Sequence, residues 1–345
     1  MVKTIFVVDD SHTNLFAAEE ALEGHYNVIT IPSGAKAIAL LEKITPDLIL
    51  LDIEMPEMDG FDVLDYLKSN ERFSNIPVVF LTALIDADLE VKGFQRGVVD
   101  FIVKPFSAPV LINRVKLHLD TSDIIIKRTA QLLQSHQTMI FILADMIETR
   151  DEYTGGHIER TAQFIRLLIL AMQERNIYTN LIGDWDAEKM AESALLHDIG
   201  KINVSDTILN KPGKLTNEEF NIMKNHTLIG KRIIEKIIAR SGEDEFLTNA
   251  RLFAAYHHER WDGSGYPYGL VGDDIPIHGR LMGIVDVYDA LISERPYKKP
   301  FTAEHALEII EAESGRHFDP KIVEVFKEIH ENLVLTSLAA DGMLL

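Results

Sequence analysis

Asp47-Leu48-Ile49-Leu50-Leu51-Asp52 is a short apolar run that ends on a carboxylate. Similar β-rich runs occur on both sides of it, at Thr4–Val8, Asn27–Ile31, Pro77–Leu81 and Asp100–Val103. Between them the apolar residues recur at three and four, as in Asn14–Glu23 and Ala35–Lys43, which is a helical period. Five strands alternating with helices predict an α/β doubly wound, five-stranded parallel sheet with right-handed crossovers. In such a sheet, function gathers beyond the carboxyl ends of the strands.

Those ends are polar. The first run leads into Asp9 and Asp10, the third into Asp52, the fourth into Thr82, and the fifth into Lys104-Pro105. A single Asp at a strand end is ordinarily a turn former or helix cap. Three carboxylates converging on one edge suit a hard cation such as Mg²⁺. Beside them, Lys104 offers positive charge to a phosphoryl group and Thr82 a hydroxyl. The chemistry suggested is phosphoryl transfer onto a carboxylate, with Asp52 as nucleophile.

Residues 1–120 resemble the receiver domain of two-component response regulators. The resemblance rests on Asp9-Asp10, Leu51-Asp52-Ile-Glu54-Met-Pro56-Glu-Met-Asp59-Gly60, Thr82-Ala83 and Lys104-Pro105-Phe106. It implies that Asp52 accepts phosphate from a cognate histidine kinase. Asp10, Asp52 and the Glu54 carbonyl would bind Mg²⁺, with Asp9 assisting through water. Thr82 and Phe101 match the family's switch pair, and Lys104 belongs with them to the receiver switch.

Helical pattern covers Pro109–Leu119 and resumes over Ile124–Arg150, giving a helical linker at 121–138. Ile125, Leu132 and Met139 fall seven apart, as in one seam of a coiled coil, which would make a homodimer. The other seam, Arg128, Ser135 and Ile142, is poor. A single amphipathic helix packed on its own domain is the competing reading. No glycine falls between Ala108 and Thr154, which favours stiffness.

From about 139 to 345 the chain reads as all-α. Amphipathic segments cover Ile158–Arg175, Asp186–His197, Asn217–Ala239, Glu245–His258, Gly279–Ser293, Ala303–Ser314 and Pro320–Asn332. Thr216 with Glu219, and Asp319 before Pro320, mark helix starts. Nine of the 13 histidines lie in 157–330, several beside Asp. His197-Asp198 closes Ala194-Leu-Leu, His257-His258 closes Leu252-Phe-Ala-Ala-Tyr256, and Asp286 interrupts Leu281–Tyr288. Ionisable groups on apolar helix faces need partners or metals to offset desolvation. One such histidine is ordinarily a satisfied core or surface residue, but the joint occurrence is not ordinary. Imidazoles mixed with carboxylates, without thiolate, suit Fe, Mn or Zn. Six or seven ligands match two ions sharing a carboxylate, a site for phosphoester hydrolysis.

This region resembles the HD-GYP phosphodiesterases, a branch of the HD hydrolases. The carriers are Thr154-Gly-Gly-His157-Ile-Glu-Arg160, His197-Asp198-Ile-Gly-Lys201 and His226 followed by Gly230. To these are added His257-His258-Glu259-Arg-Trp-Asp262-Gly-Ser-Gly265-Tyr266-Pro267, Asp286-Val-Tyr-Asp289 and Arg295-Pro-Tyr-Lys298. The resemblance implies His157, His197, Asp198, His226, His257, His258 and Asp286 as ligands of two ions (Fe or Mn), with Asp198 bridging. Asp198 and Lys201 would be catalytic. The substrate would be cyclic di-GMP, opened to pGpG, with further cutting to GMP left open. Lys201, Tyr266, Arg295 and Lys298 would hold its phosphates and guanines. Some members carry a Glu four residues before the first motif histidine, enabling a third metal. Here that position is Tyr153, so two metals are expected. His278-Gly279-Arg280 stands where Leu-Ala-Arg is common, and His278 is read as a solvent-exposed substitution in preference to an extra polar group near the site. Asp262 and Asp289 are read as scaffold, forming a turn and a helix-to-helix hydrogen bond, and no functional signal is read after Leu333.

Composition limits the remaining possibilities. Lys plus Arg is 34 against 54 Asp plus Glu, a net charge of −20, which argues against general nucleic-acid or anionic-membrane binding. The chain has no cysteine, so thiolate sites are excluded. The start lacks a signal-peptide pattern and no apolar run approaches the ~18 residues of a membrane span, so a cytoplasmic protein is expected. The expected function is a phosphorylation-controlled cyclic di-GMP phosphodiesterase. The alternatives are a catalytically silent nucleotide sensor or protein-interaction module, and a phosphodiesterase for another cyclic dinucleotide.

Overall fold

The structure is a computed structural model that describes residues 2–83, 87–150, 156–293 and 299–340, with side chains described to 337. The chain separates into two compact units, Met1–Leu133 and Gln134–Leu345.

In the first unit, β1 (Thr4–Val8), β2 (Asn27–Ile31), β3 (Leu48–Asp52), β4 (Val78–Thr82) and β5 (Asp100–Val103) form one parallel sheet in the order β2-β1-β3-β4-β5. Helices α1 (His12–Leu22), α2 (Gly34–Leu41), α3 (Gly60–Ser69), α4 (Ala87–Gln95) and the start of α5 (Ala108–Glu148) connect and follow the strands. The central strands are apolar without alternation because both faces are covered. Ile5, Val7, Leu48 and Leu50 face one layer, while Phe6, Val8, Ile49 and Leu51 face the other. The strand order reverses at β1, between β2 and β3. The carboxylates at the ends of β1 and β3 therefore flank the switch point, where ligands bind in such sheets.

Helix α5 is one uninterrupted element of 41 residues, running through 120–123, where the sequence pattern breaks. Leu111, Val115 and Leu119 belong to the core of the first unit. Ala144, near the helix end, belongs to a small core of the second unit with Ile158, Leu196, Ile234 and Ala254.

The second unit is helical: α6 (His157–Glu174), α7 (Thr179–Ile182), α8 (Ala187–Ala194), α9 (Asp206–Leu209), α10 (Asn217–Ser241), α11 (Glu245–Tyr256), α12 (Ile277–Ile292), α13 (Ala303–Ala312), α14 (Pro320–Glu328) and α15 (His330–Ala340). Two 3₁₀ turns, Ile199–Asn203 and Gly272–Asp274, interrupt the series. Its main core joins Phe164 and Leu168 of α6 to Leu281, Val285 and Tyr288 of α12 and Phe326 of α14. Thr216 and Glu219 form a reciprocal capping box at α10, and Asp319 caps α14 with Pro320 in its first turn. The segment read as one helix over Pro320–Asn332 ends at Glu328, and α15 begins at His330.

His278 corrects the surface reading: it is 6% exposed, in the first turn of α12. Its ring lies between Trp185 and Phe253, Nε2 meets the Asn249 Oδ1 at 3.0 Å, and Nδ1 has no hydrogen bond. Burial holds its pKa down to about 4, against an ordinary 6.5. Between those values the unfolded chain binds the proton and the folded chain does not, so stability falls as the pH falls from 6.5 toward 4. The full effect is on the order of 3 kcal/mol. His278→Leu is expected to flatten this acid-side loss in urea titrations at pH 5, with a much smaller difference from wild type at pH 8.

Candidate functional site

The seven expected ligands of the second unit reach one place from different elements. His157 opens α6, His197 and Asp198 follow α8, His226 lies within α10, His257 and His258 follow α11, and Asp286 lies within α12. Gly200 makes the approach possible. A Cβ there would stand 1.8 Å from the His226 carbonyl oxygen and 2.6 Å from the Gly230 amide nitrogen, so the turn after Asp198 lies directly on α10. Gly265 is similarly confined, with Arg260 N 2.3 Å from its would-be Cβ. It folds the following loop back so that the Tyr266 ring lies 4.7 Å from that of His258.

The imidazoles are held in one orientation. Nδ1 of His197, His226 and His257 lies 2.9, 2.7 and 3.0 Å from the carbonyl oxygens of Ala194, Met223 and Phe253. A carbonyl only accepts, so Nδ1 carries the hydrogen and Nε2 is left for a ligand. His157 Nδ1 meets the Asp289 carboxylate at 2.7 Å in the same way. The Nε2 atoms of His226 and His257 stand 3.1 Å apart, and His197 Nε2 and Asp198 Oδ1 are buried without a hydrogen bond. Facing lone pairs around unsatisfied buried atoms are unfavourable unless a cation lies among them.

The donors form two groups, each with its ligand atoms within 4.8 Å of one another: His226, His257 and His258, and His157, His197 and Asp286. Asp198 faces both groups. Its Oδ1 is 3.2 Å from His226 Nε2 and 3.5 Å from His257 Nε2, and its Oδ2 is 3.4 Å from His197 Nε2. The nitrogen and carboxylate donors fit first-row divalent transition ions.

The charges are consistent with that fit. Burial raises the Asp198 carboxyl, but Lys201 and His197 outweigh it and hold the group well below the usual carboxylate range. His197 is pushed down by burial and more strongly up by Asp198, Asp286 and Glu148, to about 9. A proton thus takes the place of a cation there, and metal uptake must displace it. Burial and the neighbouring His257 and His226 hold His258 well below its ordinary value, as a neutral ligand.

At the carboxyl edge of the first unit, ligand oxygens of Asp9, Asp10 and Asp52 also lie within 4.8 Å of one another. Lys104 Nζ is 2.7 Å from Asp52 Oδ1 and 3.2 Å from Asp9 Oδ2. Asn14 donates to both Asp9 oxygens, fixing that side chain. A cleft of about 350 Å³ opens here, lined by Asp10, Asn14, Asp52, Glu54, Thr82 and Lys104 among others. Burial and Asp9 raise the Asp52 pKa against the pull of Lys104. Phe101 is buried edge-on against Phe80 and Phe94.

Residues 141–322 match the HD domain family, and residues 5–116 match the response regulator receiver domain family. Over 96% of its length the chain is 40% identical to a probable cyclic di-GMP phosphodiesterase of Vibrio cholerae, covering 78% of that protein. It is 33% identical to the cyclic di-GMP phosphodiesterase response regulator RpfG of Xanthomonas campestris, over 93% of this chain and 86% of the other. The chain belongs to the receiver–HD-GYP response regulators. Over 57% of its length it is also 40% identical to 3'3'-cGAMP-specific phosphodiesterase 2 of Vibrio cholerae, covering 35% of that protein.

Within this receiver–HD-GYP chain the structure therefore brings together all seven expected ligands, Lys201 and Tyr266. Lys201 Nζ lies 2.8 Å from Asp198 Oδ2. Arg295 and Lys298, like Tyr153, Thr154 and Gly155, lie outside the described residues. Among the described residues no helix is long and apolar enough to cross a membrane.

Asp289 makes the expected helix-to-helix hydrogen bond, and both it and Glu259, which was not singled out, have a place in the site. Asp289 Oδ1 accepts from Arg160 Nε at 2.6 Å while its Oδ2 orients His157. Burial raises Asp289, but His157 and Arg160 outweigh it and lower its pKa. The spacing Asp286-x-x-Asp289 was the available signal, since positions three apart share a helix face. Asp289→Asn is expected to weaken metal binding about 10–100-fold, the usual cost of losing the partner of a ligating histidine, as read by competition with a chelating dye. Glu259 is the other: its carboxylate accepts from the Tyr268 and Leu270 amides at 2.8 and 2.9 Å and ties down the loop after Tyr266. Asp262 caps a turn through Ser264, as expected.

Proposed function

We propose that this chain hydrolyses cyclic di-GMP to linear pGpG, under control of phosphorylation at Asp52 by a histidine kinase. The observation that carries the reading is Asp198, one carboxylate facing two groups of three donors. The names of the relatives supply the substrate.

Two divalent ions, Fe or Mn by donor type, would supply an ionised water and neutralise charge on the phosphodiester. His157, His197 and Asp286 would hold one, His226, His257 and His258 the other, and Asp198 both. The chain's own residues then place the substrate. Lys201 presents an ammonium beside Asp198, where a non-bridging phosphate oxygen can meet it. Burial raises the Tyr266 hydroxyl, so it stays protonated and can donate to the ligand. Arg295 and Lys298, by the family resemblance, would hold phosphate and guanine. These local cations let a dianion enter a chain of net charge −20. With Tyr153 at the third-metal position, pGpG is the expected end product.

In the receiver, Asp10, Asp52 and the Glu54 carbonyl would hold Mg²⁺, with Asp9 behind them. Lys104 would meet the phosphoryl group, and Thr82 with Phe101 would report it. We divide the chain into receiver (1–120), linker (121–138) and HD-GYP domain (139–345), in the cytoplasm. On α5, Ile125, Leu132, Met139 and Met146 are 59%, 72%, 52% and 61% exposed at a seven-residue repeat, which supports a homodimer through that helix.

A second reading, hydrolysis of a different cyclic dinucleotide, is favoured by the likeness to the 3'3'-cGAMP-specific enzyme. The test is product analysis of protein loaded anaerobically with Mn²⁺ or Fe²⁺ and given each dinucleotide. Preferential conversion of cyclic di-GMP to pGpG supports the first reading, and preference for 3'3'-cGAMP supports the second. Binding without any product in either case would establish a sensor.

A further inference from the structure

Glu148 is the last residue of α5 and is 2% exposed. It ends a helical face whose other buried members, Ala144 and Ile147, are apolar. A carboxylate in such a place costs several kcal/mol of desolvation unless it is paired. Its Oε1 lies 3.5 Å from Lys201 Nζ, the same ammonium that stands 2.8 Å from Asp198 Oδ2. Two residues further on, Arg150 grips the backbone of the turn that carries Lys201. Its guanidinium donates to the carbonyls of Ile202 at 3.0 Å and Val204 at 3.1 Å, and it pairs with Asp206 at 2.6 Å. The Arg150 carbonyl in turn accepts from Asn210 Nδ2 at 2.8 Å. The end of α5 thus holds the Lys201 segment at two points, side chain and main chain.

We propose that Glu148 is the positioning residue of Lys201, fixing its ammonium between Glu148 and Asp198 so that it meets the phosphate of the substrate, with Arg150 fixing the turn beneath it. This rests on the phosphodiesterase reading above and adds to it the residue that sets the lysine. A lysine side chain loses much rotamer freedom when held in one place. A second carboxylate stops Nζ from folding onto Asp198 alone. Without Glu148 the ammonium remains but loses that anchor.

A double-mutant cycle between Glu148→Gln and Lys201→Met separates this role from a merely structural one. Glu148→Gln preserves shape and removes charge. It is expected to lower kcat/KM for cyclic di-GMP about 10–100-fold, with KM rising as phosphate is held less well. Metal stoichiometry and melting temperature should match wild type. In the Lys201→Met background the same change should have no further effect, because the residue acts through the lysine. The cycle is repeated on equilibrium binding of inorganic phosphate to the metal-loaded proteins, which needs no turnover. There Glu148→Gln should weaken binding only when Lys201 is present. Effects that multiply in the phosphate cycle, or loss of metal in Glu148→Gln, overturn the proposal. A coupled phosphate cycle in a protein that makes no pGpG overturns the substrate reading and leaves the positioning role standing.

Discussion

Asp198→Asn is expected to abolish cyclic di-GMP hydrolysis, lowering kcat at least about a thousandfold, and to reduce bound metal from two equivalents to one or fewer. The asparagine keeps the shape of the side chain, so the change reads ligation and charge, not packing. The size of the effect follows from position. Each histidine of the site belongs to one donor group, whereas Asp198 faces His226 and His257 through Oδ1 and His197 through Oδ2. It also pairs with Lys201 at 2.8 Å, so its loss removes one anchor of the lysine as well. Elemental analysis of the purified variant, together with product separation, checks both parts. Two tightly held equivalents in Asp198→Asn would show that the carboxylate does not bridge.

Asp52→Asn is expected to eliminate phosphoryl incorporation from a small phosphodonor, a change from full labelling to none. The reason is again geometric. Asp52 ends β3, its side chain is 5% exposed, and Lys104 contacts it at 2.7 Å. Asp9 accepts from Asn14 and the Ser11 amide and contacts Lys104, so its oxygens are occupied. Intact mass after incubation with phosphodonor and Mg²⁺ reads the outcome. Retained phosphoryl mass in Asp52→Asn would move the acceptor elsewhere.

Much of this arrangement was legible in the residues because burial leaves a pattern. Strands covered on both faces, β3 and β4, read as nearly unbroken apolar runs, and β1, β2 and β5 also fall where β-rich runs do. The polar residues that end them had no other reason to share an edge. In the helical unit, capping residues marked the starts of α10 and α14 because orphan amides need side-chain acceptors. Histidines on apolar faces marked the site for a related reason, desolvation.

What could not be read depends on contacts between distant segments. His278 stands just before the helical segment read from Gly279, and only the packing of Trp185 and Phe253 buries it. The end of a helix at Glu328 and the start of another at His330 are hidden because the apolar period continues across them. Glu148 left no signal at all. In sequence it is one more charged residue near the end of a long helix, and its meaning appears only when the turn bearing Lys201 folds against it.

The central claim is that two ions held around Asp198 cut a cyclic dinucleotide. Its most direct measurement is a metal titration of the metal-free protein under anaerobic conditions, following pGpG formation from cyclic di-GMP at each added equivalent of Mn²⁺ or Fe²⁺. The expected result is little product through the first equivalent and a rise to full rate as the second binds. Full activity at one equivalent, or two bound equivalents with cyclic di-GMP retained uncut, would contradict it.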